Sequence, residues 1–520
     1  MPEKRRLPAA TLLAIVLLLL LHLFLRVHNA GLQDPYIDEG FHVERASFVW
    51  EFERHPGRVS NGKLLLYFWL GIFETEPLTS LQMSRVGLAL FSMLTGATIF
   101  LIGRILGNNR VGLLSLAIYA IFPLAVFYER MAMADPFAAG LATLVVWRSL
   151  VFVRRPTLYQ GAIVGGLIAL TTLAKLTMGL TPLIPVLAAL IYYPWQMKQE
   201  LKSQFMAWLK RYFPALVMAA GVVVVAWLPI IIPAALALGT DDPFYIVNPF
   251  NVQQQTESVS PFIYIKTVTL YLSDFFSWPL IWGLVGAAVF WTILAIGVIK
   301  SGKINRDGLM LLTWLLTTIG LILVSASLIT TRYVMPMAVP LVIGMAYMLV
   351  LLWQMKQPWR YASMALSAGL VLWAFGYALP FNYVMITDPE DLSLSRRNYR
   401  EFQMGTLNAD DALRSAADLL DEQSNPDRTV YASWHTCPLL YFYMERDRTC
   451  LDQWEDPEDF EKRLRGNLTS GEYVYLLQSD HDEQLQEETP NVGYEEIARY
   501  PNAQETRTIS VYRVWLESKD

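Results

Sequence analysis

At 520 residues, 54% hydrophobic and only 17% charged, the chain is far more apolar than an ordinary soluble protein, which carries about a quarter charged residues. The formal net charge of -5 is unevenly placed, and nothing basic enough to grip nucleic acid occurs. Composition therefore excludes the soluble and nucleic-acid-binding classes and indicates a polytopic membrane protein.

Lys4, Arg5 and Arg6 precede the apolar run "LPAATLLAIVLLLLLHLFL" (7–25). The run is longer than the core of a signal peptide and lacks a small-residue cleavage site. It is long enough for a hydrocarbon core of about 30 Å, so it is expected to be an uncleaved first span with a cytoplasmic N-terminus. Directly after it comes "DPYIDEGFHVERASFVWEFERH" (34–55), dense in ionisable groups. Asp38, His42 and Arg45, at i, i+4 and i+7, share a helix face. Phe41, Phe48 and Phe52 form an adjoining apolar stripe suited to lipid. "NGKLLLYFWLGIFETE" (61–76) is too short and too interrupted to span, and reads as an interfacial helix.

Further spans are expected at 86–106, 111–128, 136–153, 159–174, 177–194, 213–236, 279–299, 308–328, 334–354 and 362–380, about eleven in all. The pair on either side of Lys175 is short, and one long tilted helix is the alternative. "GAIVG" (161–165) has small residues four apart, a pattern for close helix packing. With the N-terminus inside, the cytoplasmic connections carry Arg104/Arg110, Arg154/Arg155, Lys198 to Arg211, Lys300/Lys303/Arg306 and Lys356/Arg360, all basic as the positive-inside rule requires. An odd number of spans then puts the tail, 381–520, outside.

The tail changes composition after Pro380. A helical pattern at 407–422 and strand-like runs "RTVYAS", "YVYLLQ" and "ISVYRVW" indicate a small α+β domain. The expected division is thus a membrane domain over 1–380 and an extracytoplasmic domain over 381–520. Cys437 and Cys450 lie thirteen residues apart outside the cytoplasm, where a disulfide is permitted; one bridge is expected, the alternative being two buried thiols. His435 in "SWHTC" reads as structural, and Asn467-Leu468-Thr469 is a formal glycosylation sequon.

Ionisable groups beside apolar spans are costly, about 2.5–3.5 kcal/mol each at mid-bilayer on insertion scales. On the outer side they are Asp38, Glu39, Lys63, Arg85, Glu129, Arg130, Asp135, Lys175 and Arg332, drawn from distant connections. Both signs of charge on one membrane face suit a ligand that is part anion and part hydroxyl. Each has a plainer reading: Lys63 and Lys175 as snorkelling helix ends, Arg85 as an anchor, Arg130 and Asp135 as a structural pair, and the Asp38–Glu39 helix as a solvated interfacial segment. His42 beside two acids makes Asp38, Glu39 and His42 a candidate site for a divalent metal ion.

These motifs resemble those of the GT-C superfamily of polytopic glycosyltransferases, in the branch of glycosyltransferase family 39 that holds protein O-mannosyltransferases and lipid A aminoarabinose transferases. Asp38–Glu39 in "YIDEGFHVERA" is similar to the family's acidic pair in the first outer loop. "GKLLLYFW" with Lys63 resembles its "KPPLxYW" segment without the prolines. "YERMAMADPFAAGLATL" supplies Arg130 and Asp135, "LAKLTMG" supplies Lys175, and "TRYVMPMAVP" supplies Arg332 and Tyr333. The likeness covers about 1–380. It departs where the aminoarabinose-type enzymes place an arginine soon after the acid pair; this chain has Phe41 and His42, and Arg45 a turn later.

The resemblance implies transfer of a sugar from a polyprenyl-phosphate carrier to an acceptor hydroxyl on the outer or lumenal face, with inversion. The acceptor must lose a proton as it attacks, which asks for a positioned carboxylate: Asp38, with Glu39 orienting it or the acceptor. Charge growing on the leaving lipid phosphate asks for preorganised cations: Lys63, Arg130, Lys175 and Arg332, with Tyr333 beside them. No nucleotide-binding GxGxxG or GxxxxGK[ST] loop occurs. The implied partners are the lipid-linked donor, membrane lipids and an acceptor among proteins, glycolipids or glycans, and a plasma membrane is favoured over the endoplasmic reticulum. A transporter or flippase of an anionic lipid or sugar is the rival class, although no internal repeat is visible. An inactive GT-C-like binding subunit is the third.

Overall fold

Proline, asparagine and glycine cut the apolar runs into helices, and a computed structural model of the chain places the breaks. The structure describes residues 7–53, 55–60, 62–195, 200–237, 275, 305–325, 331–355, 357, 359–392, 394, 411–423, 428–433, 436–444, 448–451, 457–468, 472–479, 489, 491–501 and 508–517. The expected span 279–299, His435, Thr469 of the sequon, and Lys4, Arg5, Arg6, Lys198, Lys300, Lys303 and Lys356 lie outside the described residues. The chain divides into two compact units. One comprises Met1–Leu32, Val49–Trp69 and Arg85–Ser395; the other comprises Gln33–Phe48, Leu70–Ser84 and Arg396–Asp520.

The first unit is helical. Among the described residues six helices are long and apolar enough to cross a membrane, and a seventh span arises if the bent pair Asn109–Ala120 and Pro123–Glu129 is one. The expected count of eleven is therefore not reached among them. Pro123 ends the intrahelical ladder and turns this apolar run by 60°. The runs on either side of Lys175 form separate helices, Leu158–Ala174 and Leu183–Tyr192, joined through the tight turn Leu176–Met178. This excludes the single tilted helix. Arg306–Ser325 covers most of the run expected at 308–328.

Side-chain caps set several boundaries. Asn108 Oδ1 accepts from the amides of Arg110 and Val111, and Thr157 Oγ1 from that of Gln160, filling donors a helix start leaves open. Ala134–Phe152 is buried almost throughout, which fits its small "AAGLAT" stretch. The "GAIVG" reading holds: a Cβ on Gly161 would collide with the Ala215 carbonyl oxygen, and one on Gly165 with that of Ala219. Leu158–Ala174 thus meets Leu201–Leu236 backbone to backbone.

The second unit holds most of the helix Ile37–Val49, as far as Phe48, together with a five-stranded sheet. The strands are β1 (Val430–Ala432), β2 (Arg448–Cys450), β3 (Tyr473–Ser479), β4 (Val492–Pro501) and β5 (Thr508–Leu516), in the spatial order β2-β1-β3-β5-β4. β1 runs parallel to both β2 and β3, whereas β5 is antiparallel to β3 and β4. The three strand-like runs read from the sequence are β1, β3 and β5, and the helical pattern at 407–422 is Asp411–Glu422. Phe460 and Leu464, one turn apart on the helix Pro457–Asn467, pack against Tyr431, Val474, Leu476 and Val514 to make the core of this unit.

Candidate functional site

Within the first unit, three connections distant in sequence bring charge together. Asp135 sits in the first turn of Ala134–Phe152, where the helix dipole favours a carboxylate. Lys175 follows the last residue of Leu158–Ala174 in extended backbone, and its ammonium donates to Asp135 Oδ1. Arg332 lies in the tight turn Thr331–Val334, with Nε 3.8 Å from Asp135 Oδ2. Tyr333 offers its ring face to both cations, 4.5 Å from Lys175 Nζ and 5.4 Å from Arg332 Cζ. Asp135 and Lys175 are buried.

Lys63 belongs to the same region of the chain. The carbonyl of Gly62, a residue with φ of 72°, accepts from the Leu176 amide at 3.0 Å. Lys63 and Lys175 are the immediate chain neighbours of these two residues, so the two lysine-bearing loops are stitched together. Lys63 then leads into the short helix Leu64–Leu70.

Arg130 and Arg85 are engaged elsewhere. Arg130 Nη1 donates to the carbonyls of Leu25 (2.8 Å) and His28 (2.9 Å), and Nη2 to that of Asn29 (3.1 Å). Arg85 Nη1 donates to the Ala30 carbonyl at 2.7 Å. Both guanidiniums therefore satisfy the chain end of Ala9–Val27, where Asn29 turns the backbone with φ of 53°. For Arg130 this is a capping geometry rather than the phosphate-binding one expected, because its terminal nitrogens are directed at main-chain oxygens.

A second buried network completes this corner. Arg26 Nε meets Glu129 Oε2 at 2.5 Å, and its Nη1 and Nη2 donate to the carbonyls of Ala120 and Tyr119. Tyr119 donates to Glu129 Oε1 at 2.7 Å, and His22 Nε2 lies 2.8 Å from Ser92 Oγ. Arg26 thus caps the helix broken before Pro123, while Arg130, at the end of the helix that follows the break, caps the helix bearing Arg26. In the sequence Glu129 stands among the outer charges with no role, and Arg26 shows only as a lone arginine ending the first span.

In the second unit, the acid pair splits into two roles. Glu39 is fully buried, and its Oε2 accepts from the Tyr36 amide at 3.0 Å. This is the reciprocal half of a capping box at the start of Ile37–Val49. Asp38, one residue earlier, is half-buried. His42 is buried, and Arg45 lies over the Phe41 ring at 5.3 Å. Phe52 lies beyond the helix end with φ of 56°, so it does not extend the stripe of Phe41 and Phe48; the helix stops at Val49, before the stripe's third position. Among the described residues no group of three His, Cys, Asp or Glu side chains is able to hold a metal ion, so Asp38, Glu39 and His42 are not gathered into the expected ligand set.

Glu44 pairs with Arg448, a partner 404 residues away that the sequence did not suggest. Burial pushes the Glu44 carboxyl up from its ordinary value, with Arg448 opposing the shift. Cys437 and Cys450 form a disulfide, with Cα atoms 5.4 Å apart.

Compared by sequence, the chain matches no family profile and no curated protein. Compared by structure, it is similar to ArnT from Cupriavidus metallidurans bound to undecaprenyl phosphate, with a TM-score of 0.56, 14% identity, and coverage of 97% of this chain and 98% of that one. It is also similar to the oligosaccharyltransferase of Archaeoglobus fulgidus tethered with an acceptor peptide (TM-score 0.54, 13% identity, 90% of this chain and 69% of that one). The same archaeal enzyme, AglB, in complex with an inhibitory peptide and a dolichol-phosphate gives a TM-score of 0.53 at 13% identity, over the same shares of the two chains. At these identities the likeness is one of fold: the chain, with several helices long and apolar enough to cross a membrane, shares the fold of these two transferases.

Proposed function

We propose that this chain is an integral-membrane inverting glycosyltransferase that moves a sugar from a polyprenyl-phosphate donor to an acceptor hydroxyl on the non-cytoplasmic face. The observation that carries this reading is the gathering of Lys175, Arg332 and Tyr333 about the buried Asp135, with the Lys63 loop bonded beside it. Lys175 and Arg332 held about one buried carboxylate make a preorganised cationic site of the kind that suits a lipid phosphate. The fold adds support, since ArnT was seen with undecaprenyl phosphate and AglB with dolichol-phosphate.

In this reading Asp38 takes the proton of the acceptor hydroxyl as its oxygen attacks the anomeric carbon. The bond from that carbon to the phosphate oxygen breaks, and its electron pair leaves on the polyprenyl phosphate. Lys63, Lys175 and Arg332 stabilise the charge that grows there, and Tyr333 keeps the two cations oriented. Glu39 holds the start of the helix that bears Asp38, and Arg85 and Arg130 hold the turn after the first span. The disulfide supports an extracytoplasmic tail, and with it a cytoplasmic N-terminus.

The test is incubation of purified protein with radiolabelled polyprenyl-phosphate sugars. Release of free lipid phosphate, abolished in Asp38→Asn, supports the enzyme. Movement of lipid across vesicles without sugar transfer, undiminished in Asp38→Asn, would establish the transporter instead.

A further inference from the structure

The helix carrying Asp38 is docked on the tail along one face. A Cβ on Gly40 would collide with the Pro438 carbonyl oxygen, so helix and tail segment touch backbone to backbone. One turn later Glu44 pairs with Arg448, and one turn later again Ser47 comes near the Tyr441 hydroxyl. Positions 40, 44 and 47 share a face at i, i+4 and i+7. By the same periodicity Asp38, His42 and Arg45 fall on the opposite face.

The partners of the docked face all come from one short stretch, 437–450, which the Cys437–Cys450 disulfide closes into a bracket. Arg448 is its centre. Besides Glu44, its guanidinium donates from Nε to the Cys437 carbonyl at 3.2 Å and lies 5.3 Å from the centre of the Tyr441 ring. Arg448 also begins β2, whose pairing with β1 joins the bracket to the sheet. Val43, Ala46 and Val49 on the other sides of the acidic helix are buried as well, and the Glu44–Arg448 pair adds a directional contact that opposes rolling; a roll of one residue would turn Asp38 by about 100°.

We propose that Arg448, held in the disulfide-closed bracket of the C-terminal domain, is a positioning residue that fixes the rotation of the acidic helix and so the heading of Asp38. The inference rests on Asp38 acting as the base in the reaction proposed above. It gives the tail a task, setting the geometry of an acid that lies far upstream in the chain.

The test uses the full-length protein in detergent or nanodiscs, with Arg448→Ala, Arg448→Lys, the charge exchange Glu44→Arg/Arg448→Glu, and Arg465→Ala as a control at a more exposed ion pair. Amide exchange at residues 37–49 is measured alongside kcat and KM for a polyprenyl-phosphate sugar. Arg448→Ala is expected to speed exchange of those amides at least tenfold and to lower kcat ten- to a hundredfold with KM for the donor little changed. Arg448→Lys, which keeps the charge but loses the fork, should fall between wild type and Arg448→Ala. The charge exchange should recover most of both effects, and Arg465→Ala should move neither. Unchanged exchange at 37–49 in Arg448→Ala would overturn the inference whatever the activity, as would faster exchange with kcat unaltered. Faster exchange in a protein whose wild type transfers no sugar would overturn the glycosyl-transfer reading while leaving the mechanical link between Arg448 and the helix in place.

Discussion

Replacing Asp135 with asparagine separates a phosphate site from a structural ion cluster. The substitution keeps the shape of the side chain and removes the charge facing Lys175 and Arg332. At the 3.8 Å separation of Arg332 Nε and Asp135 Oδ2, the Coulomb attraction is roughly 4 kcal/mol at an effective dielectric of 20. The closer Lys175 contact is of at least similar size. Breaking a buried pair by removing one partner typically costs about 3–5 kcal/mol, because the remaining charge is left uncompensated. Asp135→Asn should therefore melt well below wild type in detergent. Added polyprenyl phosphate should reverse much of that loss, since its phosphate would replace the missing anion. Each tenfold gain in its affinity adds about 1.4 kcal/mol, seen as a larger ligand-induced rise in melting temperature for the variant than for wild type. A lipid phosphate that stabilises Asp135→Asn no more than wild type would refute the assignment of these cations to the donor.

Glu129→Gln, leaving Arg26 buried with no counter-charge, should cost about 3–5 kcal/mol, measured as a loss of melting temperature; a paired Arg26→Met/Glu129→Met variant should be less damaged than either single change. Gly165→Ala should destabilise by about 1–3 kcal/mol through overpacking, whereas Gly166→Ala, whose Cβ meets nothing within 4 Å, should leave thermal unfolding unchanged. The Glu44 carboxyl titrates above its unfolded value because burial disfavours the charged form. Its contribution to stability is thus fully present below the unfolded pKa and is lost as pH rises through the folded one. Relative to Glu44→Gln, the wild type should lose stability as pH climbs upward from the ordinary carboxylate value, and parallel stability–pH curves for the two proteins would contradict this.

Much of the membrane unit was legible because apolar length and small-residue spacing are local signals. The "GAIVG" contact and the start of the helix carrying Asp135 could be read from a few neighbouring residues. The three apolar strands β1, β3 and β5 were legible for the same reason. β4 was not, since its Glu495, Glu496 and Arg499 give an edge strand the composition of a loop. The site was legible as residue types but not as partners. Arg130 looked like a phosphate ligand because its charge was evident while the carbonyls it caps, about a hundred residues earlier, were not. Glu44 and Arg448 could not be paired from sequence for the same reason. The bend at Pro123 was hidden by hydropathy, which averages over the break and scores one continuous span.

The reciprocal capping by Arg26 and Arg130 bears on how the chain is made. Arg26 reaches its partner Glu129 only after 103 further residues have been synthesised, roughly 5–20 s at typical elongation rates. Until then the first span carries a guanidinium with no counter-ion, which must stay at the headgroup level in contact with water. Final seating of that span therefore awaits the run broken at Pro123, so biogenesis of this corner is a joint event between segments that leave the ribosome seconds apart.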